Sequence, residues 1–91
     1  MEAETASPPP DEMVVTLRKP VSLGSETYTE VRLREPTAGE LLQWDKLAGT
    51  EADIVAISIV SGIPRPAVEK IGARDLIACA RYIAAFLADA P

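Results

Sequence analysis

Two alternating apolar stretches close together near the start of the chain, with no further alternating stretch after them, constrain the fold most. Met13-Val14-Val15-Thr16-Leu17-Arg18-Lys19 is rich in β-branched residues and puts Met13, Val15 and Leu17 on one face of a strand. Tyr28-Thr29-Glu30-Val31-Arg32-Leu33-Arg34 alternates again, with Thr29, Val31 and Leu33 opposite Tyr28, Glu30, Arg32 and Arg34. Leu23-Gly24-Ser25-Glu26 between them carries turn chemistry, so the pair predicts a β-hairpin. Pro20 is expected to limit how far the first strand can pair. A two-stranded hairpin is marginal alone in water, so its apolar face must be covered, and only helices remain to do it.

The helices follow in order. Glu35-Pro36 stops the second strand, and Thr37-Ala38-Gly39-Glu40 has the capping-box form, predicting a helix from about 38 to 48 that ends at Gly49. Leu41, Trp44, Leu47 and Ala48 fall on one side of it, and Asp45 beside them is either a partner for an Arg or a boundary residue. Thr50 is expected to cap a second helix with Glu51 and Asp53 in its first turn. Its body, Ile54 to Val60, is apolar all round and could be a buried strand by propensity; the capping residues and the Ser61-Gly62 stop favour helix. Ile63 to Ile71 predicts a short helix opened by proline and ended by Gly72. From Ala73 to about Ala88 runs the longest amphipathic stretch, with Leu76, Ala80, Ile83 and Leu87 as its central stripe and core contacts.

At 100° per residue, apolar side chains on this last helix span roughly 220° of the circumference, against ~100° for a helix docked on one side. Either two neighbours wrap it or part of it meets a partner. Tyr82 and Phe86 on its shoulder are the partner-contact candidates. Trp44, a lone tryptophan, is a core anchor or an interface residue, with core favoured by Leu41, Leu47 and Ala48 beside it.

Together these elements predict an α+β fold: an N-terminal two-stranded β-hairpin packed on three to four α-helices. With 91 residues there is room for one core. The domain is expected to span 13–90, behind a disordered acidic, Pro-rich tail at 1–12 in which Glu2, Glu4, Asp11 and Glu12 meet no basic residue. Outside that tail nine basic residues face ten acidic ones with no basic run, so nucleic acid is not expected as a partner. The acidic N-terminus lacks the form of a secretory signal, and no segment approaches the ~20 apolar residues of a membrane span, so a cytoplasmic protein without a membrane partner is expected.

Catalytic groups are sparse. The chain has no histidine, the commonest general acid or base. Glu51 and Asp53, the nearest acid pair within one element, are explained by a helix first turn. Cys79, the single cysteine, sits among Ile77, Ala80 and Tyr82 and is expected to be a buried, inert thiol. The five glycines are isolated at element boundaries, so no phosphate loop exists. No catalytic, cofactor-binding or metal-binding residue is assigned, no cofactor is expected, and a binding protein is favoured over an enzyme.

Val15-Thr16-Leu17-Arg18-Lys19-Pro20-Val21, the turn, then Tyr28 through Arg34-Glu35-Pro36-Thr37-Ala38-Gly39-Glu40-Leu41-Leu42 and Lys46-Leu47-Ala48-Gly49 together resemble the tail assembly chaperone family of Mu-like and P2-like contractile-tailed phages. The most telling words are Leu33-Arg34-Glu35-Pro36-Thr37 with Gly39 and Leu41, and the likeness extends over roughly 14 to 88. The resemblance implies a phage or prophage protein made in the cytoplasm of the bacterial host and absent from the mature virion. It also implies that the protein binds the helices of a tape measure protein, keeping them soluble while tail tube protein assembles around them; in that family the gene is commonly followed by an overlapping frame that yields a longer form by ribosomal frameshifting. Surplus apolar helix surface makes a homo-oligomer plausible as well. The rival readings are a small structural tail or baseplate subunit, which would be found in particles, and a bacterial protein-binding adaptor.

Overall fold

The computed structural model describes residues 12–87. The expected tail therefore lies outside the described residues except for Glu12, which opens the first strand one residue earlier than its alternation suggests. β1 (Glu12–Leu23) and β2 (Glu26–Arg34) form the expected antiparallel hairpin. Leu23 pairs with Glu26 across the two-residue turn Gly24-Ser25. Gly24 alone of the two has a positive φ, +62°, the pattern of a type II′ turn with glycine first.

Pro20 does not end the pairing. From Glu12↔Arg34 to Thr16↔Glu30 the ladder is regular, and it resumes at Val21↔Tyr28, so Leu17 to Pro20 bulge out against Thr29 alone. The proline sits within this bulge, where its missing N–H leaves no ladder bond unmade. The bulge also changes which residues of β2 face inward. Val31 and Leu33 are completely buried as expected, but Thr29, opposite the bulge, is exposed, and Tyr28 from the other phase turns toward the core beside Val21.

The first helix is much shorter than its pattern suggests. α1 covers only Ala38–Leu41, opened by a complete Thr37/Glu40 capping box. Beyond it the chain tightens into turns in which Gln43, Trp44 and Leu47 donate to the carbonyls three residues back. Leu41, Trp44 and Leu47 are spaced three apart, and a winding near three residues per turn aligns them in a narrower line than the broad stripe an α-helix would give. Trp44 is buried and Leu41 and Leu47 pack at the core margin, while Leu42 is left 73% exposed.

α2 (Gly49–Ser61) settles the strand-or-helix ambiguity as helix. Gly49 does not end the preceding element; it starts this one with a φ of +64° that turns the chain directly into the helix. The cap position falls to Ala48, which offers no side-chain bond, and Thr50 lies inside the first turn rather than capping it. The stop is as expected: Gly62 takes the left-handed conformation at φ +80° and donates to the Ser58 carbonyl. α3 (Arg65–Val68) is a single turn with Pro66 near its start, and α4 (Ala73–Leu87) is the long final helix.

α2 and α4 lie side by side over the inner face of the hairpin, with α3 touching β1 and α2. The core draws Val15, Leu17, Val21, Val31 and Leu33 from the sheet against Ile57, Val60, Val68, Cys79 and Ile83 from the helices. α2 is apolar around its whole circumference because β2, α3 and α4 contact it from different directions.

Candidate partner-binding groove and the strand-to-helix lock

α4 docks on a different face from the one its central stripe suggests. Its buried residues are Asp75, Cys79, Ile83 and Phe86, a line rotated by roughly 75° from the Leu76, Ala80, Ile83, Leu87 stripe at 100° per residue. Leu76 and Ala80 are half-buried, and Leu87, expected in the core, is 46% exposed. Asp75 supplies a physical reason. Arg18, in the β1 bulge, cannot give its backbone N–H to β2; instead it donates to Asp75 Oδ2 at 2.8 Å, and the Arg18 Nε lies 3.8 Å from Oδ1. Asp75 is only 6% exposed, the single buried charged residue among those described, so the sheet draws a carboxylate inward and turns the apolar stripe sideways.

That rotation separates the three partner-contact candidates. Tyr82 remains at the surface with 36% exposure, whereas Phe86 and Trp44 are each 8% exposed. Uncovered apolar surface of α4 lies on the side toward α2 at Ala84 and Leu87, and Ile77 is half exposed as well. Between the helices this side forms a groove of about 120 Å³, lined by Trp44, Ala52, Asp53, Ala56, Ala80, Ile83, Ala84 and Leu87. Alanines from both helices make it shallow, and the edge of Trp44 joins its lining. The sequence signal for it was present in the small residues Ala52, Ala56, Ala80 and Ala84, but which side of α4 they opened onto depended on Asp75.

The Leu33–Leu41 segment has a structural explanation. Arg34 at the end of β2 makes a bidentate pair with Glu40, both N–H···O distances being 2.8 Å. Glu40 also accepts the Thr37 backbone N–H at 2.9 Å, while its own N–H donates to Thr37 Oγ1 at 3.1 Å. Pro36 is buried between them. The segment thus locks strand to helix start. The Arg34 guanidinium, and then the Thr37 N–H, hold the Glu40 carboxyl down to about 2, and Glu40 in turn raises Arg34. Arg32, also on the outer face, pairs with Glu30 at 3.1 Å. Asp45 is an exposed boundary residue with no ion pair among the described residues.

Reactive groups are few in this arrangement. Burial, with a smaller contribution from the nearby Asp75 charge, pushes the Cys79 thiol up to about 11. Glu51 of the acidic first turn pairs with Arg65 at 3.5 Å. Among the described residues no group of three His, Cys, Asp or Glu could hold a metal ion, and no helix is long and apolar enough to cross a membrane.

Searches against curated proteins and against solved structures return no match. A family model described as phage tail assembly chaperone proteins, E, or 41 or 14, matches residues 14–88, which takes in the hairpin, the Arg34–Glu40 lock and both long helices. With its hairpin-and-helix fold and the match covering most of its length, the chain belongs to the family of phage tail assembly chaperones.

Proposed function

We propose that this chaperone binds a helical segment of the tape measure protein in the α2/α4 groove and keeps that protein soluble during tail assembly. The observation that carries the reading is the uncovered apolar side of α4: Ala84 and Leu87 line a groove with other small residues and Trp44, and the exposed Ile77 adds apolar surface on the same helix, a form suited to an amphipathic helix. Tyr82 extends the contact on the other shoulder of α4, and Trp44 contributes through its exposed edge; Phe86 supports α4 from inside. The protein acts by binding and not by catalysis, a view supported by the suppressed reactivity of its one thiol. It works in the cytoplasm of the bacterial host and leaves before the virion matures. Contact with tail tube protein, and self-association through the same groove when no partner is present, belong to the same reading.

The test is a pull-down of the tagged chain from cells expressing the surrounding gene cluster, with captured proteins identified by mass spectrometry. A long, helix-rich protein is expected with the native chain and not with the doubly substituted Ile77→Asp/Leu87→Asp chain. Co-expression should also raise the soluble fraction of that partner. Capture of tail tube or baseplate proteins alone, together with the chain's presence in purified particles, would replace this reading with that of a structural tail subunit.

A further inference from the structure

A second surface has the opposite character. The β1 bulge carries Arg18 and Lys19 into solvent, and the first turn of α4 brings Arg74 to the other wall of a cleft of about 330 Å³ that Gly72, Ala73 and Asp75 complete. Lys70 also reaches β1, its Nζ 3.2 Å from the Ser22 carbonyl. Three of the chain's nine cationic side chains therefore line one cleft at the start of α4 in a protein whose net charge is −5. Lys19, Lys70 and Arg74 make no ion pair with any described residue, unlike Arg32, Arg34 and Arg65, which are paired with carboxylates. The carboxylate in the cleft, Asp75, accepts the Arg18 N–H and pairs with the Arg18 guanidinium, so it offsets that one cation and leaves Lys19 and Arg74 as the unpaired cations of the walls. The positive end of the α4 dipole adds to their charge.

We propose that this cleft is a second protein-binding site, one that takes an acidic peptide segment of a partner. Cations from two separate elements converge on a recess with room for a few carboxylate side chains, and charge complementarity selects the occupant. A nucleic acid strand is the poorer fit. Its phosphates follow one another along a continuous backbone, whereas the positive area here is one recess with an aspartate in its wall, on an otherwise acidic molecule. The site lies around the N-terminal end of α4, while Ala80, Ala84 and Leu87 of the groove lie toward its C-terminal end, so the two surfaces can be occupied and tested separately.

Fluorescence anisotropy with a labelled hexaglutamate peptide and the full chain tests the proposal. Binding is expected at about 50 mM salt, weakening about tenfold by about 300 mM as the charges are screened. Lys19→Glu/Arg74→Glu should weaken it at least about fivefold with an unchanged circular dichroism spectrum, while Arg81→Glu and the groove variant Ile77→Asp/Leu87→Asp bind the peptide as the native chain does. The proposal is overturned by no peptide binding at low salt, by binding that the Lys19/Arg74 reversal leaves unchanged, or by an oligonucleotide of equal charge binding as tightly as the peptide. Because the readout uses no tape measure protein, its failure would leave the reading of the groove untouched, and the reverse holds too.

Discussion

Glu40 shows how one side chain can join two elements, since it closes the capping box of α1 and holds Arg34 at the end of β2. Its folded-state pKa is depressed to about 2, below the ordinary carboxylate value of 4.5. The contribution is therefore complete above the ordinary value and is lost as pH falls toward 2. Native protein should melt above Glu40→Gln at neutral pH, with the gap in Tm closing between about pH 4.5 and about pH 2; a gap that stays constant across that range would show that the lock contributes nothing. Asp75 acts similarly on the inside. Asp75→Ala strips the Arg18 N–H of its acceptor and should cost about 1–3 kcal/mol in urea unfolding, with Asp75→Asn recovering part of the loss because an amide oxygen can still accept. Cys79, held up near 11, should resist a thiol-modifying reagent at pH 8 until denaturant is added. Rapid native-state labelling would contradict its burial.

At the scale of elements, the readable parts were those whose signals are local. The hairpin followed from alternation and turn residues, the capping box from Thr37 and Glu40, and the end of α2 from Gly62, because each depends on residues a few positions apart. What could not be read depended on distant partners. The face of α4 is chosen by a carboxylate that answers a backbone N–H in the β1 bulge, and hydrophobic periodicity carries no information about that contact. The α1 region failed for another reason: a three-residue spacing of Leu41, Trp44 and Leu47 fits a broad helical stripe and a tighter winding equally well on paper. The distinction has a measurable consequence at Leu42, which a regular helix ending at 48 does not single out. Leu42→Glu should leave urea stability within about 0.5 kcal/mol, whereas Leu33→Ala, at a fully buried position, should cost about 2–5 kcal/mol.

For the whole molecule, an apolar groove between α2 and α4 and a cationic cleft at the start of α4 lie on one small domain. Tyr82, Phe86 and Trp44 were reasonable partner candidates from the sequence because aromatic residues dominate interfaces, and of the three only Tyr82 stands at the surface while Phe86 and Trp44 are buried. The groove itself, built from alanines and bordered by Leu87, was legible only once the helices were placed. Replacing Ile77 and Leu87 by Asp should therefore leave the circular dichroism spectrum and Tm close to native while abolishing capture of the helical partner. A matching loss of folding would instead place both residues in the structural core.

The Arg18–Asp75 bond also sets an order of events during synthesis. The strand donor and its acceptor are 57 residues apart, so at ~5–20 residues per second the hairpin leaves the ribosome several seconds before the carboxylate that completes it. During that interval Val31 and Leu33 have no α4 to cover them. A tail assembly chaperone thus passes through a stage in which its own sheet is unshielded, and that sheet is covered only when α4 arrives.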